Sequence, residues 1–178
     1  MNILKIICAV ILAFAFSFPA FADTPITDAV ASAYFENCMQ GLQKQDTMTP
    51  DTQKKYCACT ALNMKKSMSQ EDVVALSKNE RAALNKVLIS VNGPCMQYPV
   101  HDLINNKCMT SLKNAAICSC LSQKVGDYTK QETQKKLPKL LADNPELYDT
   151  MSPIVDSPEF QQAQQQMALS CATNPNQK

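Results

Sequence analysis

Eight of the nine cysteines in this chain fall into two sets of four with one grammar, and that pattern constrains the fold more than any other feature. The first set is Cys38, then Cys57-Ala-Cys59, then Cys95; the second is Cys108, then Cys118-Ser-Cys120, then Cys171. Local wording repeats at the start of each set: Asn37-Cys38-Met39-Gln40-Gly41-Leu42 against Lys107-Cys108-Met109-Thr110-Ser111-Leu112. An apolar residue precedes each CxC, Tyr56 in one and Ile117 in the other, and a helix start comes after it at Ser69 and at Thr129. The expectation is a duplicated helical unit, residues 23–100 and 101–172, with 173–178 as a flexible tail. Neither half is large enough for an independent core, so the two should pack together.

The ninth cysteine belongs to a different signal. Lys5 is the only charge before an apolar run from Ile6 to Phe18; Pro19 breaks the run, and Ala20-Phe21-Ala22 supplies a small-x-small cleavage pattern. Residues 1–22 therefore read as a signal peptide, with Asp23 as the mature N-terminus. The run is shorter than the roughly 20 apolar residues a stable membrane anchor needs, and no later stretch is apolar enough to span. Cys8 sits inside the run and not at its end, which argues against a lipid-modified cysteine. Its removal leaves eight cysteines, and an even count in an exported chain is what a disulfide framework predicts. Removing Lys5 leaves 16 basic residues (17 − 1) against 16 acidic ones. A neutral chain has no electrostatic grip on phosphate, so nucleic acid is a poor candidate partner and none is expected. The expected location is the periplasm or outside the cell.

The apolar periodicity is helical throughout. Ala31, Tyr34, Phe35, Cys38 and Leu42 share one helix stripe, and Cys57, Ala61, Met64 and Met68 share another after the break at Thr49-Pro50-Asp51. Ser69 caps a third helix with Glu71 and Asp72 in its first turn; it runs through Val73, Leu76, Leu84, Val87, Leu88 and Val91 until Gly93-Pro94 stops it. In the second half Ile104, Cys108, Ser111 and Leu112 repeat the first stripe, and Cys118, Leu121 and Val125 repeat the second as far as Gly126. Thr129-x-x-Glu132 reads as a capping box. Asn144-Pro145 and Ser152-Pro153 break the helix it would open, and Ser157-Pro158-Glu159 opens a last helix that ends near Cys171. In the glutamine-rich tract 161–166, Phe160, Ala163, Met167 and Cys171 keep a helical stripe while the glutamines solvate the other face. No segment alternates long enough to argue a strand. The fold class is all-α: a disulfide-stapled helical bundle built from two similar four-cysteine repeats.

Eight cysteines allow 105 pairings, and bridges kept within each half reduce these to nine. Residues two apart on a helix point about 200° from one another, so Cys57 cannot bridge Cys59. One member of each CxC should reach back to the preceding helix and the other forward. Cys57 and Cys118 lie on the apolar stripes, which favours Cys38–Cys57 and Cys108–Cys118 as inner pairs and leaves Cys59–Cys95 and Cys120–Cys171. The second inner pair requires a tight turn near Lys113-Asn114, because a continuous helix would hold its cysteines about 15 Å apart. The nine residues between Cys108 and Cys118 resemble one arm of the twin CX9C helical hairpins of the mitochondrial intermembrane space. Cys38 and Cys57, with 18 residues between them, do not match, and the signal peptide is of another type. The likeness is one of shared physics, helices stapled by disulfides.

Two sharper chemistries compete with a purely structural role. Met39, Met96 and Met109 each come directly after a cysteine, and Met64 and Met68 lie near a CxC, a set of soft ligands that would suit copper, with zinc as the other candidate. A CxC can also cycle between dithiol and disulfide, and Lys54-Lys55 precede the first one. Against both, thiols in an oxidising compartment pair with one another, and methionine at helical spacing is ordinary core filling. His101 is the only histidine, so any Ser/His/Asp or Cys/His site would have to be built on it; beside Asp102 at a helix start it reads as a surface residue near a cap. Glu71 and Asp72 read as first-turn helix charges. The expected function is an exported non-enzymatic scaffold or protein-interaction module. Its expected partner is another exported or surface protein, with no cofactor. A Cys/Met metal binder or a CxC thiol-redox protein is the alternative.

Overall fold

The computed structural model describes residues 23–42 and 48–175. The signal-peptide reading falls on residues 1–22, outside the described residues, as do the last three residues of the expected tail. Among the described residues eight α-helices come in chain order: α1 Asp28–Leu42, α2 Pro50–Ser67, α3 Gln70–Ser77, α4 Arg81–Lys86, α5 Gln97–Leu112, α6 Ala115–Asp143, α7 Ser152–Val155 and α8 Pro158–Thr173. A π-helical turn, Val87–Asn92, and a 3₁₀ turn, Gly93–Cys95, link α4 to α5. Among the described residues there is no strand, only one antiparallel bridge between Pro25 and Ser69.

The helix starts reflect local chemistry. Thr49 caps α2 with Pro50 in its first turn, and Ser157 caps α8 by accepting from the Phe160 N–H. At Ser69 a full capping box forms: its hydroxyl accepts from Asp72 N–H while the Asp72 carboxylate accepts from Ser69 N–H. The segment after residue 22 docks on this same corner. Thr24 donates to Glu71 through its N–H at 3.0 Å and its hydroxyl at 2.7 Å, and Ile26 is buried behind them.

Three expectations need correction. The helix opened by Ser69 is not continuous to Val91, because the chain closes a Schellman motif after Ser77. Glu80 N–H donates to Ala75 O, Asn79 N–H donates to Leu76 O, and Asn79 sits in the left-handed region at φ 58°. Gly93-Pro94 does end the π turn at Asn92, as expected, and one 3₁₀ turn then leads into α5, which runs through residues 100 and 101. Second, Thr129-x-x-Glu132 opens no helix. It lies within the 29-residue α6, where the Thr129 hydroxyl donates back to Val125 O at 2.7 Å and Glu132 pairs with Lys136. Third, Gly126 is not a stop. A Cβ there would lie 3.0 Å from the Gln97 carbonyl oxygen, so the glycine permits the backbones of α5 and α6 to approach.

The α5–α6 hairpin turns in two residues. Lys113 takes the left-handed conformation at φ 53°, and Asn114 caps α6 by accepting from Ile117 N–H. Among the described residues three buried clusters hold the bundle. Ile26, Met64, Met68 and Val91 join the first segment, α2 and the π turn. Val100, Ile104, Leu121, Val125, Ile154 and Phe160 join α5 to α8, together with the second set of cysteines. Leu88, Leu137 and Leu141 form the third, in which the C-terminal half of α6 lies over the π turn of the first half. Thr133 and Leu137 pass directly over Gly93, where a Cβ would lie 3.1 Å from the Thr133 methyl. The two halves thus share core. In α8, Phe160 and Cys171 are buried and most of the glutamines face outward.

Candidate functional site

The eight cysteines of residues 23–178 form four bridges: Cys38–Cys57, Cys59–Cys95, Cys108–Cys118 and Cys120–Cys171, with Cα–Cα distances of 5.7, 5.9, 5.4 and 5.8 Å. In each half one bridge staples a helical hairpin, α1 to α2 or α5 to α6. The other member of each CxC points away and ties the second helix to a later element, the 3₁₀ turn in the first half and α8 in the second. Cys57, Cys95, Cys118 and Cys171 have no exposed surface, and Cys108 and Cys120 are buried. Cys38 and Cys59 are partly exposed. Four bridges in a small helical protein favour an oxidising or extracellular compartment.

Polar chemistry concentrates where α2, α5 and α6 meet. Asp102, on the second turn of α5, is buried at 5 % exposure. Its carboxylate accepts from Thr49 N–H at 2.7 Å, from the Thr49 hydroxyl at 2.9 Å and from the Thr52 hydroxyl at 2.9 Å. A negative charge from another helix thus sits at the N-terminus of α2, where unpaired N–H groups and the helix dipole favour it. Burial pushes the Asp102 pKa up, but the bonds from Thr49, Thr52 and His101 outweigh it and hold the carboxyl below its ordinary value. His101 Nδ1 lies 3.3 Å from Asp102 Oδ1 and its Nε2 3.1 Å from the Ser122 hydroxyl on α6. The sole histidine therefore stands between a carboxylate and a serine, along a cleft of about 390 Å³ that Lys55, Tyr98 and Asp127 also line.

The order Asp–His–Ser is that of a hydrolytic relay, but the surroundings differ in two ways that matter for chemistry. Ser122 has no exposed surface, lies mid-helix in α6 and donates its hydroxyl to Ser119 O at 3.1 Å. The backbone N–H groups around it belong to the helix ladder, so no pair of donors there is free to hold an oxyanion. In this geometry the chain of contacts is a clasp across three helices.

The soft-ligand candidates are dispersed. Met64 and Met68 fill the first cluster, Met96 is buried beside the 3₁₀ turn, and Met109 is exposed on α5. With the eight cysteines of residues 23–178 in bridges, that part of the oxidised chain presents no thiolate. Glu71 holds Thr24, whose hydroxyl bond lowers its pKa to about 2, and Asp72 is engaged by Ser69 and Lys86. Compared with protein-family profiles, with curated proteins and with solved structures, the chain matches none.

Sequence reasoning missed Asp102 and Ser122 as site residues. Asp102 carried only its adjacency to His101, and its partner Thr49 lies 53 positions away. Ser122 carried no signal beyond lying four residues from Gly126, the one feature that marks close contact of α5 with α6.

Proposed function

We propose that this chain is an exported, non-enzymatic helical scaffold that presents a rigid surface to another exported or surface protein. One observation carries the reading: the groups that could do chemistry are engaged internally. Eight cysteines are closed in four bridges, and the only histidine joins a buried aspartate to a buried serine across α2, α5 and α6. A frame tied this way loses little side-chain and backbone entropy when it binds, the condition under which a modest surface gives useful affinity. The parallel order of the halves, hairpin staple then outward staple, supports descent from one duplicated unit.

Three measurements on natively exported protein test this. Thiol titration under denaturation should find no free thiol, and two or more would favour the metal or redox alternative. A fluorophosphonate probe should leave Ser122 unlabelled; labelling at Ser122 would make the clasp a catalytic relay. Cross-linking in the exported compartment should yield discrete species containing a second protein, and a chain that never cross-links would leave the scaffold reading without support.

A further inference from the structure

The bridge between Cys59 and Cys95 is asymmetric in a way that bears on its chemistry. Cys59, on α2, is partly exposed and lines a groove of about 430 Å³ together with Lys55, Leu62, Asn63, Tyr98 and Lys130. Cys95 has no exposed surface. Its sulfur lies 3.2 Å from Asn63 Nδ2 and 3.4 Å from the Val91 carbonyl oxygen. An amide N–H donates to a thiolate and a carbonyl accepts from a thiol, so a freed Cys95 sulfur has a partner in place in either protonation state. The Asn63 amide also lies 3.7 Å from the Cys59 sulfur.

Two lysines line the groove, Lys55 paired with Asp51 and Lys130 without a carboxylate partner among the described residues, so its one uncompensated charge is positive. Lys55 stands one turn before Cys59 on α2 and keeps its charge, because the hydrogen bond from its ammonium to Asp51 raises its pKa. Lys130 comes from α6, and among the described residues no carboxylate pairs with it. Cations beside a sulfur stabilise a thiolate and concentrate an anionic reagent.

We propose that Cys59–Cys95 is a thiol-exchange site that takes a small anionic thiol at Cys59 while the other three bridges stay closed. The thiolate of the reagent attacks the Cys59 sulfur along the groove and forms a new S–S bond. The Cys59–Cys95 bond breaks, and its electron pair leaves on Cys95; the proton released when the reagent thiol ionised returns to that sulfur, and the resulting S–H donates a hydrogen bond to Val91 O. Nothing else is oxidised or reduced: one disulfide and one thiol become another disulfide and another thiol. The reverse attack by Cys95 on the mixed disulfide expels the reagent and recloses the bridge. The site does not depend on the identity of any protein partner.

The test uses the oxidised full-length mature chain with two probes, thioglycolate and cysteamine, at equal thiolate concentration. Acid quenching, alkylation and peptide mapping then locate the adduct and the freed thiol. The expected first product carries the probe on Cys59 and a free thiol at Cys95, keeps its helical circular dichroism, and forms faster with thioglycolate than with cysteamine. Lys130→Gln, which removes the groove's uncompensated charge, should slow thioglycolate about three-fold, the size expected of one screened charge. A first adduct at Cys38 or any other cysteine, equal rates for the two probes in the parent chain, or loss of helicity with the first adduct would each overturn the proposal.

Discussion

Replacing Asp102 with alanine tests the clasp, and its cost can be worked from the bonds it makes. The carboxylate accepts three hydrogen bonds of 2.7–2.9 Å from two threonines. Bonds to a charged group contribute about 1.5–3 kcal/mol each when buried. They are not three independent terms here. Thr49 is exposed, so water can replace the acceptor for its N–H and hydroxyl. Thr52 is buried, but its hydroxyl lies 3.0 Å from the Thr49 hydroxyl and can turn toward it. The lower end is therefore the right choice: about 2–4 kcal/mol, or roughly 4–16 °C in thermal midpoint for a chain of this size. Asp102→Asn keeps the shape and one acceptor oxygen and should cost about half as much. The sign of the pH dependence comes from the lowered pKa. A depressed carboxyl stabilises the fold above its unfolded value of about 3.9, and that contribution is lost as pH falls through the folded value. The gap between the parent and Asp102→Ala should thus be full at pH 7 and shrink below about pH 4. Circular dichroism melts at pH 7, 5 and 3 measure it. A shift under 2 °C at pH 7, or a gap that widens in acid, would refute the reasoning.

Three further perturbations have worked signs. Tyr56 is held up to about 12, first by burial and then by the neighbouring Tyr34; a raised pKa gives stability that is full below pH 10 and lost toward pH 12, so urea melts of Tyr56→Phe should lack most of that alkaline loss. Lys113 holds a left-handed backbone that glycine adopts freely, so Lys113→Gly should raise stability by about 0.5–1 kcal/mol, read as an upward shift in urea midpoint. Gly126→Val should lower it by about 1–3 kcal/mol through overpacking, because the added atoms meet the Gln97 carbonyl oxygen; an unchanged midpoint would mean that α5 and α6 can move apart freely.

The helical class, the caps at Ser69 and Ser157 and the turn at Lys113-Asn114 were all legible, because each depends on residues within one or two turns of one another. The stripes carried as much: Cys57 and Cys118 sit on apolar faces, and the structure pairs them with Cys38 and Cys108. The illegible features needed information from elsewhere in the chain. Thr129 and Glu132 have the spacing of a capping box, but nothing before them ends α6, since Gly126 answers to the backbone of α5. Asn79 carried a weak signal, because a left-handed asparagine inside an apolar pattern differs from a helical one only once the bond from Glu80 N–H to Ala75 O is seen. The clasp was invisible for a third reason: a hydrogen bond between residues 102 and 49 leaves no periodicity in either segment.

The bridges should not share the stability equally. In the chain-entropy account a bridge stabilises by restricting the unfolded chain, and the restriction grows with the loop it closes. The sequence separations are 10 for Cys108–Cys118, 19 for Cys38–Cys57, 36 for Cys59–Cys95 and 51 for Cys120–Cys171. Taken singly, those loops correspond to about 2.7, 3.2, 3.8 and 4.1 kcal/mol. Packing sharpens the order at the top. Cys171 holds α8, whose buried side chains are Phe160 and Cys171 itself, whereas Cys108 and Cys118 join a hairpin already closed by a two-residue turn and packed along its length. Paired Cys→Ala variants, made two at a time so that no thiol is stranded, should therefore lose most at Cys120/Cys171 and least at Cys108/Cys118. Urea midpoints under non-reducing conditions give the ranking. If the Cys108/Cys118 variant is the least stable of the four, the hairpin depends on its staple, and unfolded-chain entropy does not set the order.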